Sequence, residues 1–225
     1  MAKVTLENLN KIFVSKIGKD VKAVNDFNLL LEDGEILALL GSSGCGKTTT
    51  LRMIAGFETA TSGQIKIGER IVNDLKPADR NVAMAFEGYA LYPPLTVKDN
   101  IAFSLMREKI SKDKVDSKVM EVAELLEITD ILERYPPSIS GGQQQRVSLA
   151  RALVRDSDAL LLDEPMSQLE PQLRAVLRAR VKDYIQHNNK TVIFVTHDQT
   201  EAVALADKIA VMENGDLKQL ASPYE

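Results

Sequence analysis

A glycine-rich loop between an apolar strand and a helix offers the clearest chemistry in this sequence. The apolar run at residues 36–40 leads into the loop at residues 41–48, and a helical segment follows at residues 49–55. Glycines let the backbone curl until successive N–H groups point at an anion, and the helix N-terminus adds the positive end of its dipole. The spacing predicts a phosphate-binding loop, here called the P-loop. With the first helical residue after it, the predicted nucleotide contacts are Gly41, Ser42, Ser43, Gly44, Cys45, Gly46, Lys47, Thr48 and Thr49.

Two side chains of the P-loop have distinct predicted roles. Lys47 would reach the β- and γ-phosphates of a bound nucleotide, and the Thr48 hydroxyl would ligate Mg²⁺. A Gly/Ser-rich loop that precedes a lysine by chance is the alternative, and the flanking strand and helix argue against it.

Ionisable residues follow two further apolar strands. Asp163 and Glu164 come directly after residues 159–162, and His197 follows residues 191–196. Because the carboxyl ends of parallel strands meet at one edge of a sheet, we expect these side chains beside the P-loop. There Asp163 would hold Mg²⁺ through water, Glu164 would act as a general base, and His197 would donate to a γ-phosphate oxygen. Taken alone, His197 is more simply a hydrogen-bonded histidine at a strand end.

A second glycine turn opens another helix. Ser140, Gly141, Gly142 and Gln143 precede a helical pattern at residues 144–154. This helix N-terminus therefore offers a second set of N–H donors suited to an anion.

The elements that would position these residues form an α/β protein. Alternating apolar residues over positions 3–31 predict an antiparallel β region before the P-loop strand, and positions 97–132 carry apolar residues at helical spacing. We therefore predict a P-loop NTPase core with a mixed sheet, an N-terminal antiparallel β region and an inserted helical subdomain. The predicted organisation is one domain over residues 1–225, with its core at 1–86 and 156–225 and the helical subdomain at 87–155.

Composition excludes several other classes of protein. The chain of 225 residues is 44% apolar and 27% charged, which suits one compact core. A net charge of −4 and a pI near 5.4 argue against nucleic acid as a partner. The N-terminus has no signal-peptide pattern, and no uncharged apolar run reaches 18 residues. The single cysteine, Cys45, cannot form an internal disulfide, which fits a reducing cytosol.

Four motifs occur in the order found in ATP-binding cassette (ABC) ATPases, and the chain resembles that family over essentially its whole length. The P-loop resembles the Walker A motif, and residues 160–165 resemble Walker B. Residues 140–143 resemble the signature, which ordinary P-loop enzymes lack, and residues 196–198 resemble the switch-histidine segment. The stretch at residues 89–93 is similar in particular to the ATPase subunits of bacterial and archaeal carbohydrate importers.

The resemblance implies an enzyme with a RecA-like core that hydrolyses ATP with Mg²⁺ to power import of a solute, such as a sugar or polyol. It would lie peripherally on the cytoplasmic face of the cell membrane. It would pair head to tail with a second ATPase subunit, identical or not, so that residues 140–143 contact the ATP held by the partner's P-loop. Integral-membrane permeases would dock near residues 87–95 and the helical subdomain, and an extracytoplasmic solute-binding protein would act indirectly. Phe13 matches the position that stacks on adenine, and packing on the sheet edge explains it equally well.

Three positions depart from the family pattern. Glu87 stands where the family has a glutamine that helps ligate Mg²⁺ and senses the membrane subunit, so Glu87 is a predicted metal ligand. Glu170 replaces an aspartate that tunes communication between paired sites, and Ile139 replaces a leucine. A regulatory or weakly hydrolysing subunit of a heteromeric transporter is therefore one alternative. A soluble ABC ATPase of DNA repair or translation is another, disfavoured by the acidic charge and by the lack of a long heptad insertion.

Overall fold

The computed structural model describes residues 2–14, 18–106 and 108–224, and within these ranges the chain forms ten strands and six α-helices. The strands are β1 (Val4–Phe13), β2 (Val21–Leu31), β3 (Ile36–Leu40), β4 (Ser62–Ile67), β5 (Arg70–Ile71), β6 (Val82–Ala85), β7 (Ala159–Asp163), β8 (Val192–Thr196), β9 (Lys208–Glu213) and β10 (Asp216–Ala221). The helices are α1 (Lys47–Ala55), α2 (Val97–Phe103), α3 (Lys112–Leu125), α4 (Gly141–Leu153), α5 (Pro171–His187) and α6 (Gln199–Leu205).

One mixed sheet joins the strands in the order β5-β4-β1-β2-β10-β9-β3-β8-β7-β6. The strand that leads into the P-loop, β3, pairs in parallel with β8 and β9, while β7 pairs in parallel with β8 and β6. The N-terminal strands β1, β2, β4 and β5 pair in antiparallel fashion. The predicted α/β class and the antiparallel β region are therefore confirmed.

The continuous apolar runs of β3, β7 and β8 arise because both faces of these strands are covered. Side chains alternate between two separate cores, as the two-residue period of a strand requires. Along β3, Ala38 packs with Phe194 in the core on the side of helices α2 to α6, whereas Leu39 packs with Val195 in the core on the side of α1 and the N-terminal strands. Burying a side chain as large as Phe194 contributes about 2–3 kcal/mol to folding.

The helical stretch between β6 and β7 contains α2, α3 and α4, in agreement with the predicted helical pattern. Its apolar residues Val119, Val122 and Val147 belong to the same core as one face of the sheet. The described ranges contain no helix with both the length and the apolar character needed to cross a bilayer.

Two helices begin earlier than predicted. Helix α4 starts at Gly141 rather than at residue 144, because Ser140 already caps the first turn. Helix α1 starts at Lys47 rather than at residue 49, so the last two P-loop residues are helical. Both differences place chemically important residues in a first helical turn, where N–H groups lack partners within the helix.

Candidate active site

The P-loop turns sharply because two of its glycines adopt backbone conformations that other residues rarely adopt. Gly46 precedes α1 with φ of 108°, and a Cβ placed on it would lie 2.2 Å from the carbonyl oxygen of Ala23. Gly44 has φ of 78° and faces open space. No side chain caps the N-terminus of α1. The loop therefore forms a concave backbone surface at a helix N-terminus, which is the arrangement that holds phosphate groups.

Lys47 lies across this loop and is buried. Its Nζ donates to the carbonyl oxygens of Gly41 and Ser42, each at 2.8 Å, and lies 3.7 Å from Cys45 Sγ. Cys45 is buried beneath the loop. The ammonium group is thus already held over the loop, where the negative charge of phosphates would meet it.

Thr48 and Asp163 come together although they are far apart in the sequence. The Thr48 hydroxyl donates to Asp163 Oδ1 at 3.1 Å, and Asp163 ends β7 in a buried position. Burial raises the pKa of Asp163, and the charges of Glu87 and Glu164 raise it further, against the hydrogen bond from Thr48. A hydroxyl and a carboxylate oxygen are hard ligands of the kind Mg²⁺ prefers. The pair fits the predicted metal site.

Glu164 and His197 form the second pair at this sheet edge. Glu164 Oε1 lies 3.1 Å from His197 Nδ1, and the imidazole is exposed to solvent. The two residues follow β7 and β8, which are neighbours in the sheet. Glu164 has a left-handed backbone conformation with φ of 47°, which costs a non-glycine residue about 1–2 kcal/mol. Its backbone N–H is held by Val195 O at 3.1 Å.

The turn that carries His197 is hydrogen-bonded to the buried carboxylate of Glu201. The Thr196 hydroxyl donates to Glu201 in α6, and the same hydroxyl oxygen accepts the backbone N–H of Asp198 at 3.0 Å. Burial raises the pKa of Glu201, aided by the charge of Asp198 and opposed by the Thr196 hydrogen bond.

This raised pKa predicts a pH-dependent stability. The pKa of Glu201 in the folded chain exceeds its ordinary value of 4.5, so its contribution to the free energy of unfolding is complete below that value and is lost as the pH rises through the raised pKa. Glutamine does not titrate, so Glu201→Gln should gain stability relative to the wild type between pH 5 and pH 8. The expected change in the free energy of unfolding is about 1.4 kcal/mol for each tenfold difference in the proton affinity of Glu201 between the folded and the unfolded chain. Urea unfolding followed by circular dichroism measures it, with exposed Glu124→Gln as control, and identical pH profiles for Glu201→Gln and wild type would refute it.

The glycine turn at residues 140–143 lies at a helix N-terminus, as predicted, and the structure shows that this N-terminus is capped. Gln143 N–H donates to Ser140 Oγ at 3.2 Å, and Ser140 N–H donates to Gln143 Oε1 at 2.9 Å, which completes a capping box. Because Ser140 Oγ accepts this bond, its hydroxyl proton remains a donor. Ser140 and Gly141 are exposed, and within the described ranges the hydrogen bonds of the turn do not reach the P-loop. The structure does not bring this turn to the P-loop of its own chain.

Three predicted contacts have weaker structural support. Glu87 is exposed in the loop after β6, and its charge acts on the nearby Asp163. Phe13 ends β1 and is 40% exposed, and the centre of its ring lies 4.8 Å from Lys11 Nζ. Thr49 is half-buried in the first turn of α1. The roles of these three residues stay predictions.

Gln145, which sequence reasoning missed, joins α4 to the segment after β7. It is 3% exposed, and its amide contacts Glu164, Ser167 and Gln168. A signal for it does exist in the sequence. Gln145 lies four residues before Leu149, on the buried face of α4, where a polar side chain requires partners.

An ATP-binding cassette is the class of protein that this sheet order and the loops at its edge define. The sequence profile of the ABC transporter family matches residues 24–167, and the chain belongs to that family.

Three proteins to which the chain is similar are ATP-binding import proteins. The trehalose/maltose import ATP-binding protein MalK of Thermococcus litoralis is 49% identical over 231 residues, and the xylose/arabinose import ATP-binding protein XacK of Haloferax volcanii is 43% identical over 226 residues. The sn-glycerol-3-phosphate import ATP-binding protein UgpC of Ruegeria pomeroyi is 45% identical over 225 residues. Each alignment covers all of this chain but only 61%, 59% and 63% of the relative, respectively.

Solved structures agree with this family assignment. The ATP-binding cassette MJ0796, in a dimeric post-hydrolysis state bound to ADP and Pi, is 26% identical and superposes with a TM-score of 0.90 over 98% of both chains.

Proposed function

We propose that this chain binds and hydrolyses ATP with Mg²⁺ and thereby powers a membrane importer. The pairing of Glu164 with His197 at 3.1 Å, on the edge that also carries the P-loop and the Thr48–Asp163 pair, is the observation that carries the proposal. An anion-binding loop alone would serve any nucleotide-binding protein, whereas an adjacent carboxylate and imidazole supply proton transfer.

Phosphate binding is assigned to the P-loop and α1. The N–H groups of the loop and the N-terminus of α1 would hold the β- and γ-phosphates, with Lys47 compensating their charge. Thr48 and Asp163 would hold Mg²⁺, with Glu87 as a further candidate ligand. The metal would supply positive charge that offsets the negative charge of the phosphates.

Hydrolysis is assigned to Glu164 and His197. The Glu164 carboxylate would accept the proton of a water aligned with the γ-phosphorus, while His197 would donate to a γ-phosphate oxygen. A neutral imidazole carries one N–H, so it donates either to Glu164 through Nδ1 or to phosphate through Nε2. With Glu164 ionised, only a doubly protonated ring makes both contacts. The Glu164–His197 contact thus competes with phosphate for the neutral ring.

The glycine turn at residues 140–143, here called the signature turn, is assigned the role of contacting the nucleotide of a partner subunit. The exposed Ser140, with its free donor proton, and the helix N-terminus behind it suit a γ-phosphate that another chain presents. The dimeric state of the related cassette supports pairing of two subunits, and the head-to-tail orientation stays a prediction. The second subunit is either another copy of this chain or a different ABC ATPase.

A groove between the sheet and the helical stretch suits the permease. It has a volume of 530 Å³, and its lining is largely apolar, including Met84, Phe86, Tyr92, Phe103 and Met106. Arg151 anchors its wall by donating to the carbonyl oxygens of Tyr89 and Ala90 at 3.0 and 2.7 Å. An apolar groove with a polar rim favours a helical segment of a membrane subunit at the cytoplasmic face. The names of the relatives favour a carbohydrate or polyol derivative as the solute, with a solute-binding protein acting through the permease.

A charge placed in this groove tests the transport role. Met106 is 72% exposed at the groove, so Met106→Glu should leave the ATPase rate of the isolated subunit within twofold and reduce its recovery with co-expressed permease subunits about tenfold or more. Met120→Glu, at a methionine on α3 that is 44% exposed and lies outside the groove, is the control. Quantitative affinity purification from detergent-solubilised membranes measures the recovery. Equal recovery of both variants would contradict this docking site, and co-purification with nucleic acid instead would favour a non-transport ATPase.

A further inference from the structure

Gln145 links helix α4 to the segment that carries Glu164, the proposed general base. Its Nε2 donates to the carbonyl oxygen of Glu164 at 2.9 Å and to Ser167 Oγ at 3.1 Å. Its Oε1 accepts the backbone N–H of Gln168 at 2.9 Å. Three of the four hydrogen bonds that a carboxamide can make are therefore used on one segment, residues 164–170, here called the catalytic loop.

The bond to Glu164 acts where the backbone is strained. Glu164 has φ of 47°, and a non-glycine residue keeps such a conformation only when its surroundings fix it. Its N–H is held by Val195 from the sheet, and its carbonyl is held by Gln145 from α4. The direction in which the Glu164 carboxylate points therefore depends on the position of α4.

The same helix begins with the signature turn. Gly142 packs so closely on the catalytic loop that a Cβ placed on it would lie 3.1 Å from Gln168 O. Gln145 lies one helical turn beyond Gly141, so the capped first turn and the catalytic loop are connected by direct contacts. A displacement of the signature turn must change these contacts or move the catalytic loop with it.

We infer that Gln145 is a positioning residue that couples the two ATP sites of the dimer. The inference rests on the proposed function, in which the signature turn of one subunit contacts the γ-phosphate held by the other. The γ-phosphate of the partner's ATP fixes the first turn of α4 when it binds there. Because Gln145 hydrogen-bonds to Glu164, this also fixes the position of Glu164. Glu164 in turn acts on the ATP bound by its own chain. Each site then becomes competent for hydrolysis when the opposite site is filled.

Steady-state kinetics of Gln145→Ala test the coupling. We expect kcat to fall about 10- to 100-fold, with the Kd for ATP of the monomer unchanged within twofold, since the P-loop is untouched. The Hill coefficient for ATP should fall from above 1 in the wild type to 1. Gln145→Glu, whose ionised carboxylate keeps the acceptor for Gln168 but lacks the donor to Glu164, should show the same loss. Asn73→Ala is the control, because Asn73 likewise joins two backbone groups, Ile65 N–H and Gly63 O, away from the site.

Amide hydrogen exchange separates this inference from the proposed function. In Gln145→Ala without nucleotide, exchange at residues 164–170 should rise at least tenfold, while Asn73→Ala leaves that segment unchanged. Unchanged exchange in Gln145→Ala, or cooperativity equal to that of the wild type, would overturn the role of Gln145. A wild-type chain that neither hydrolyses ATP nor dimerises with it would overturn the proposed function, whatever the exchange result.

Discussion

Glu164→Gln is expected to stop turnover while ATP binding persists, so that unhydrolysed ATP holds two subunits together. Glutamine has nearly the same shape as glutamate and keeps an oxygen to face His197, but it cannot accept a proton from water. Loss of a general base typically costs about 100- to 10,000-fold in rate. Because ATP binds the paired state and is no longer consumed, the dimer should accumulate by mass action.

Two measurements check the Glu164→Gln result. Steady-state phosphate release gives the rate, and size-exclusion chromatography with ATP, with and without Mg²⁺, gives the oligomeric state. Glu124→Gln, an exposed carboxylate on α3, controls for the loss of one charge. A variant that stays monomeric in ATP would count against the head-to-tail dimer, and an undiminished rate would remove Glu164 from catalysis.

The second large effect is expected at Lys47, whose replacement by alanine should weaken ATP binding at least about 100-fold. Each charge-assisted hydrogen bond that the ammonium gives to a phosphate contributes about 1.5–3 kcal/mol, and no other lysine takes part in the hydrogen bonds of the described P-loop residues. Alanine also leaves the carbonyl groups of Gly41 and Ser42 without their donor, so part of the loss could come from a rearranged loop.

A second variant separates charge from loop structure. Lys47→Met keeps most of the length and the apolar stem of the side chain without its charge. It should lose as much ATP affinity as Lys47→Ala but change the free energy of unfolding less than Lys47→Ala does. Titration with a fluorescent ATP analogue and urea unfolding without nucleotide measure the two quantities. Unchanged affinity in both variants would exclude the P-loop as the nucleotide site.

Features encoded by local pattern could be predicted from the sequence. The P-loop needs glycines at fixed spacing, and the strands buried on both faces show continuous apolar runs, so both could be placed within a few residues. The meeting of Thr48 with Asp163 followed from the rule that parallel strands deliver their carboxyl ends to one edge. Sequence spacing alone also placed Ser140 at a helix N-terminus, although the start of α4 was predicted three residues late.

Features that depend on the order of the strands, or on which segments pack against each other, could not be predicted. The strand order puts β8 between β3 and β7, which makes Glu164 and His197 neighbours, and no local pattern encodes that order. Helical spacing places Gln145 on the buried face of α4, but its hydrogen-bond partners depend on how the catalytic loop packs against that helix. Lys47 was expected to face phosphate, and its bonds to Gly41 and Ser42 depend on the folded curvature of the loop.

The strand order also bears on how the chain is made. The P-loop strand β3 has β8 and β9 as its neighbours in the sheet, and Ile36 pairs with Val192, more than 150 residues later. At ribosomal rates of about 5–20 residues per second, β3 emerges roughly 8–30 s before either neighbour exists. During that interval the apolar strand β3 has neither of its native neighbours, so its apolar side chains are available for chaperones to bind. The P-loop strand can therefore have both of its sheet neighbours only once the chain has been synthesised as far as β9.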